Sequence, residues 1–326
     1  MKYAYYPGCS LEKNAAAYGD SFQAVARALS QELVELEDWN CCGASEYFSL
    51  DPLPAYALLA RNLAQVPQGI SDLVAPCSMC YLNLYKTEHN MGLYPQLNGD
   101  VNAALAEAQL SYKPGSVRVR HALDILANDV GLEKIAAQVT QPLRGLKLAP
   151  YYGCLIVRPA HEFDNPEHPE TLDRLLATLG ATVVDHPLKA ACCGGHMPQV
   201  SPETAYRLIH ELISTTAERG ADAIVTLCPM CQLNLDAYQK QANKLYGTSD
   251  AMPVLYFTQM MGLALGLPAK QMGFGQELVS ANALLAKLAA PPPAPAAEEP
   301  KRKPHRDKNA LPMPSPLKPG AAGGAR

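Results

Sequence analysis

"APCSMCYLNL" (residues 75–84) and "TLCPMCQLNL" (residues 226–235) share one frame, Cys-x-Met-Cys-x-Leu-Asn-Leu. The same frame twice in one chain marks an internal duplication, which decides the fold. Two further landmarks recur in the same order. "YAYYPGC" (3–9) matches "APYYGC" (149–154), and "WNCCGAS" (39–45) matches "AACCGGH" (190–196). The cysteines run C-x31-CC-x34-CxxC in the first half and C-x37-CC-x34-CxxC in the second. All ten are used, five per half.

Each copy alternates short apolar runs with stretches of helical spacing. Strands are predicted over 2–6, 32–36 and 71–75, and again over 146–151, 181–185 and 221–226. Helices are predicted over 15–29, 54–66 and 78–88, then 169–179, 202–219 and 232–245. Such alternation implies an α/β fold, with right-handed crossovers and a mostly parallel, doubly wound sheet in each half. The expected layout is two pseudo-symmetric, Rossmann-like domains at 1–140 and 141–287, followed by a disordered tail at 288–326. Residues 92–115 have weak periodicity and read as an insertion or interdomain contact. "SVRVRHALDIL" (116–126) is predicted to be a helix between the halves that carries Arg120 and His121. "MPVLYFTQMMGLALGL" (252–267) adds a strand and a helix to the second domain.

Cys9, Cys41 and Cys77 each follow a predicted strand, as do Cys154, Cys192 and Cys228. In a parallel sheet those strand ends share one edge, where ligands of open α/β sheets bind. Cys80 and Cys231 lie three residues past their partners, on the same helix face. The free N–H groups of that first turn suit an anionic sulfur cluster.

Composition narrows the function classes. The chain has 326 residues, 48% of them hydrophobic, and a net charge of −4. Residues 290–326 hold seven Lys/Arg against three Asp/Glu, leaving 20 basic and 28 acidic residues, a charge of about −8, on the body. An acidic body argues against nucleic-acid binding. The start of the chain has no apolar leader, and no apolar run reaches membrane-spanning length. A cytoplasmic location without membrane insertion is therefore expected, and there thiols serve metal or redox chemistry rather than disulfides. Ten prolines in 290–326 predict the disordered tail. Its basic run "KRKPHRDK" (301–308) reads as a partner-docking or solubilising segment. No GxGxxG or Walker motif is present, so no nucleotide or flavin is expected on this chain.

Five thiols per half exceed the four of a structural zinc site and the four of an ordinary cubane cluster. An adjacent pair such as Cys41-Cys42 grips two irons of a larger cluster more naturally than one small ion. Iron–sulfur ligation is favoured, with zinc or buried thiols as the alternative.

These cysteine patterns, with "CCG" at 41–43 and 192–194, resemble the cysteine-rich CCG domain. Two copies in a chain of this length resemble the B-type subunit of heterodisulfide reductase, over roughly residues 1–267, with "VRHALDIL" similar to the family's linking segment. The tail lies outside that likeness. The resemblance implies two noncubane [4Fe-4S] clusters. Cys9, Cys41, Cys42, Cys77 and Cys80 would hold one, and Cys154, Cys192, Cys193, Cys228 and Cys231 the other. A disulfide, or the thiols that form it, would lie between them and exchange one electron with each side, its sulfurs transiently bound to iron. It also implies a ferredoxin-like iron–sulfur subunit of the C type and a flavoprotein subunit of the A type as partners. The alternative within the same family is an electron-transfer subunit of a membrane-associated dehydrogenase, passing electrons toward quinone.

Other residues carry weaker signals. Gly43, Gly194 and Gly195 fit tight turns beside the cysteines. Asn83 and Asn234 fit hydrogen bonds near the site. The halves differ most beside the second pair, where His186, Lys189 and His196 stand against Glu35, Glu37 and Glu46. Those three are the candidates to hold an anionic substrate in the catalytic site between the cysteine sets.

Overall fold

The computed structural model describes residues 1–157 and 164–290. In the first half the order is β1 (Lys2–Tyr5), α1 (Gly8–Leu11), α2 (Ala16–Ala28), β2 (Glu32–Glu35), α3 (Glu46–Leu50), α4 (Pro52–Ala64), β3 (Asp72–Ala75), α5 (Ser78–Leu93), α6 (Pro95–Ala106), β4 (Arg118–His121) and α7 (Ala122–Asp124). A π-helical stretch, Ile125–Gly131, then leads into α8 (Leu132–Gln138). The second half runs β5 (Lys147–Tyr151), α9 (Thr171–Thr178), β6 (Thr182–Val183), α10 (Met197–Val200), α11 (Pro202–Glu218), β7 (Ala223–Thr226), α12 (Pro229–Ala237), α13 (Gln239–Tyr246), β8 (Val254–Tyr256), α14 (Phe257–Ala264) and α15 (Asn282–Ala289). The strands form two four-stranded sheets, ordered β2-β1-β3-β4 and β6-β5-β7-β8, with every pairing parallel. The central strands are buried on both faces, "AIVT" of β7 completely, as helix-covered parallel strands require.

The stretch predicted as an interdomain helix is instead β4, paired in register with β3 from Asp72↔Arg118 to Ala75↔His121. "VRVRH" alternates with period two and is rich in β-branched valine, and that period outweighs the helical spacing of the leucines after it. Arg120 is thereby drawn into ion pairs with Asp72, Asp124 and Asp129. Nor is 92–115 an insertion. Pro95 opens α6, whose buried Val101 and Leu105 pack it against α4 within the first half. The predicted tail also starts late: α15 carries the chain through Leu288 to Ala289 with Leu284 buried. The rest of the tail prediction, with the basic run at 301–308, lies outside the described residues. Among the described residues no helix is long and apolar enough to cross a membrane.

The halves interlock. α14, which follows the last strand of the second sheet, packs on α2 of the first half, and α8, which follows the last strand of the first sheet, packs on α9 of the second. The seam between α2 and α14 is close. Tyr18 stacks on Tyr256 with centroids 4.4 Å apart, and Ser21 Oγ lies 2.6 Å from Thr258 Oγ1. Gly273 must be glycine here: at φ +75°, its Cβ would stand 2.5 Å from that of Ala17.

Candidate cysteine centre

Each sheet places its strand ends on one edge, and the cysteines sit in the loops that leave them. Cys9 follows β1, Cys41 and Cys42 follow β2, and Cys77 caps α5 directly after β3. Cys154, Cys192, Cys193 and Cys228 repeat this after β5, β6 and β7. All ten thiols are free, and in each half three are buried. The cysteines therefore lie five to each half, in the loops at one edge of each sheet.

Within each set a matching frame of hydrogen bonds holds the loops. Tyr6 Oη donates to the Asn40 carbonyl at 2.7 Å, and Tyr151 Oη donates to the Ala191 carbonyl at 2.7 Å. Each carbonyl belongs to the residue before the Cys-Cys pair. Asn83 Nδ2 donates to the carbonyls of Cys42 (3.2 Å) and Ala44 (2.6 Å), and Asn234 Nδ2 to that of Cys193 (2.6 Å). The Gly43 N–H points at Cys41 Sγ and the Gly194 N–H at Cys192 Sγ, both at 3.4 Å. Those glycines have φ of +74° and +83°, which confirms their predicted turns. Burial, then the nearby thiolates, pushes the phenols of Tyr6 and Tyr151 well above their ordinary range, so both stay protonated donors.

Sequence reasoning missed Tyr6 and Tyr151, although both stand inside the repeat. It also missed Gly8 and Gly153. A Cβ on Gly8 would stand 2.8 Å from Cys80 Sγ, and one on Gly153 would stand 3.0 Å from Cys231 Sγ. A glycine before the first cysteine of each copy is the signal that could have found them.

The sulfurs form a line rather than a knot. Cys9 and Cys41 lie 3.5 Å apart. Electrostatic coupling then runs from Cys41 to Cys42, from Cys42 to Cys80 and from Cys80 to Cys77. Cys77 couples across the interface to Cys228, which couples to Cys231, and Cys231 lies 3.6 Å from Cys193. Cys154 pairs with Cys192. Among the described residues, no three His, Cys, Asp or Glu side chains are set around one ion. An extended row of thiols suits a multi-iron ligand better than a single zinc.

The electrostatics agree. Cys41, then Cys80, holds the Cys42 thiol down to about 4, while Cys41 itself is pushed up. Cys154 in the same way lowers Cys192 to about 6, helped by the N–H groups of Gly194 and Gly195. Cys228 is held well below the usual thiol range by Cys231, then Cys77, with the N–H groups of Cys231 and Met230 at the start of α12 also contributing. Some thiols are thus held down while others, Cys77 and Cys80 among them, are pushed up, because so many adjacent anions need a cationic core to ionise together.

A cavity of about 270 Å³ lies against the second set. Its walls include Cys154, Cys192 and Cys228 from the second half and Ser45, Ser78 and Met79 from the first. Of the three candidate substrate residues, His196 alone lines it, with Nδ1 3.1 Å from Glu46 Oε1 and with Nε2 buried and unpartnered. His186 Nε2 is bound instead to the Pro150 carbonyl at 2.9 Å, and Lys189 Nζ pairs with Asp173 (3.0 Å) and Asp185 (3.3 Å). The structure does not bring these two to the cavity. His121, at the end of β4, is fully buried at the interface. Its Nδ1 accepts from the Leu123 N–H at 3.1 Å, and Nε2 lies 3.5 Å from Ser78 Oγ.

Comparison with known proteins places this geometry among relatives. The family model for the cysteine-rich CCG domain matches residues 3–85 and 148–236. The 8-methylmenaquinol:fumarate reductase membrane anchor subunit of Wolinella succinogenes is 36% identical over 87% of this chain and 99% of its own. A protein of Archaeoglobus profundus, named as like the B-type subunit of heterodisulfide reductase, is 31% identical over 84% of this chain and 94% of its own. The B-type subunit of the ferredoxin/F420H2-dependent CoB-CoM heterodisulfide reductase of Methanosarcina acetivorans is 30% identical over 88% and 97%. Among solved structures, a hypothetical protein from Helicobacter pylori superposes with a TM-score of 0.68 at 14% identity, over 86% of this chain. This chain spans about half the length of that one, and the likeness concerns the fold alone.

Proposed function

We propose that this chain, which belongs to the cysteine-rich CCG-domain family, is an iron–sulfur oxidoreductase subunit of the heterodisulfide reductase B type. Each five-cysteine set would hold one noncubane [4Fe-4S] cluster, and a disulfide, or the thiols that form it, would react between them. The observation that carries this reading is the cavity walled by both halves, lined by all five cysteines of the second set and closed by Ser45, Ser78 and Met79 of the first half.

The donor sets fit such clusters. Five thiols per set, glycines that leave no room for a Cβ beside Cys80 and Cys231, and inward N–H groups all favour a large anionic inorganic core. When bound, the clusters supply the two electrons that, with two protons, convert one disulfide into two thiols. The protein's own part is to fix the geometry. Tyr6, Tyr151, Asn83 and Asn234 hold the cysteine loops, and Met79 and Met230 pack the approach. His196, aligned by Glu46, offers its unpartnered Nε2 to a substrate in the cavity. Electrons would arrive through a ferredoxin-like subunit fed by a flavoprotein subunit, in a cytoplasmic complex.

A second reading has support in the 36% identity to a protein named as the membrane anchor subunit of a quinol:fumarate reductase. There the same two clusters would relay electrons between a dehydrogenase and quinone, with no disulfide chemistry.

Anaerobically purified protein tests both. We expect about eight irons per chain with matching acid-labile sulfide, an EPR signal on oxidation that depends on added thiol, and disulfide reduction by the chemically reduced subunit. Iron without thiol dependence or disulfide turnover would favour the relay. Zinc in place of iron, in protein never exposed to oxygen, would defeat both readings.

A further inference from the structure

α5 begins at the Cys77-x-x-Cys80 turn and runs for 16 residues. Met79, Asn83, Lys86, Asn90 and Leu93 recur along one of its faces at helical spacing. Asn83 on that face is buried and Met79 packs on the core, while the face as a whole forms one wall of a groove of about 760 Å³. The opposite wall is aromatic: Phe48 meets Tyr56 edge to face at 5.0 Å, and Asn90 Nδ2 fixes Tyr56 by donating to its hydroxyl at 2.7 Å. Tyr94, 58% exposed, stands at the outer end. At the inner end the groove and the cysteine cavity share Ser45, Met79 and Leu155 as walls, so the two adjoin.

Lys86 lies on the groove wall and is half-buried. Among the described residues, the other lysines that lack an ion pair are exposed, and the one other half-buried lysine, Lys189, is held by two carboxylates. A partly desolvated ammonium without a counter-ion is a receptor for an anion. The repeat shows that this is particular to the first half. The residue in the position of Lys86 in the second copy is Ala237, and Tyr85 is replaced there by Asp236, which accepts from the Leu278 and Val279 N–H groups.

We propose that this groove binds an acidic, flat-bodied arm of the sulfur substrate, with its carboxylate or other anionic group on Lys86 Nζ, its apolar body against Phe48, Tyr56 and Tyr94, and its sulfur directed past Met79 toward the cysteine cavity. The proposal rests on the disulfide reading and adds the class of substrate to it: a disulfide or thiol that carries an organic acid on the side of the first half.

Two aromatic disulfides of one shape provide the test on the iron-loaded, chemically reduced protein: bis(p-carboxyphenyl) disulfide and its uncharged amide, bis(p-carbamoylphenyl) disulfide. The acid is expected to show a KM about tenfold below that of the amide, as one partly exposed charge-assisted contact gives. Lys86→Ala should remove that preference by raising the KM of the acid about tenfold with kcat kept, and Lys86→Arg should restore most of it. Tyr94→Ala should raise both KM values. Equal KM values for acid and amide in the unaltered protein, or a Lys86→Ala variant that keeps the preference, would overturn the groove. If neither disulfide turns over, the disulfide reading fails, and anilinonaphthalenesulfonate still tests the groove. A tenfold weaker fluorescence titration with Lys86→Ala supports an acid-binding groove, and an unchanged titration removes it.

Discussion

In the first half Tyr6 holds the carbonyl before the Cys-Cys pair and Asn83 those of Cys42 and Ala44. In the second, Tyr151 holds the matching carbonyl before the pair and Asn234 that of Cys193. Glycine precedes the first cysteine in both, and an N–H two residues past the first thiol of the pair points back at it in both. The walls differ. The first half carries a wide groove with Lys86 on its side, and the second set borders a small cavity with His196 on its rim. Even the ends of the fourth strands differ: Ala75 pairs with His121 in one sheet, and Thr226 with Tyr256 in the other. Duplication has kept the frame around the cysteines and changed the walls beside it. On the proposed reading, the centre would be symmetric in its electron chemistry and asymmetric in recognition.

The sharpest way to break that comparison is to remove one ligand at a time. Cys80→Ser and Cys231→Ser should each lower iron from about eight to about four per chain, as independent four-iron sites require. Loss of all iron from either variant would show that the sets load as one.

The interface comes next. Tyr18 Oη lies 2.9 Å from the Pro76 carbonyl and 3.1 Å from the Leu227 carbonyl, the residues before Cys77 and Cys228, so one hydroxyl serves both loops. Tyr18→Phe leaves buried carbonyls short of a donor and should lower stability by about 2 kcal/mol in urea unfolding. An unchanged midpoint would mean that the stacking on Tyr256 alone holds the seam.

The difference between His121 and Tyr256 can be read by pH. Burial holds His121 down to about 4, below its unfolded value of about 6.5. The unfolded chain therefore takes up a proton that the folded chain refuses, and stability falls as pH drops through this window. Between pH 7 and pH 5 the loss should be about 2 kcal/mol, and urea midpoints of His121→Gln should lack it. A variant with the same slope would assign the pH dependence elsewhere.

The smallest effects test the symmetry itself. Tyr6→Phe and Tyr151→Phe each delete one hydrogen bond and should cost about 1 kcal/mol apiece. Unequal losses, measured by paired chemical denaturation, would show that one frame bears more strain than the other.

Much of this was legible in the sequence because it is local. Cysteine spacing, the CCG turns and the alternation of strand and helix all lie within a few residues of each other, and the structure places them as expected. What was missed depends on contacts far apart in the chain. β4 was read as a helix because its alternating valines sit beside a leucine-rich run, and only pairing with β3 settles the matter. Tyr18 looks like any helical tyrosine until residues 58 and 209 positions away present their carbonyls. His186 and Lys189 looked like anion ligands by composition, but Pro150, Asp173 and Asp185 claim them. Lys86 attracted no notice because a lone lysine on a helix carries no pattern.

The reciprocal packing of α14 on α2 and of α8 on α9 has a consequence for biosynthesis. α2 leaves the ribosome early, with Tyr18 and Ser21 on the face that α14 later covers. At ordinary elongation rates roughly 10–50 s separate the two helices. During that interval the first five thiols are already synthesised while their hydrophobic seam stands open. On the proposed reading, metal delivery to this chain would be tied to translation: iron that arrives before residue 264 would meet a half-built interface, and a chaperone for the nascent first half would find its natural footprint on α2.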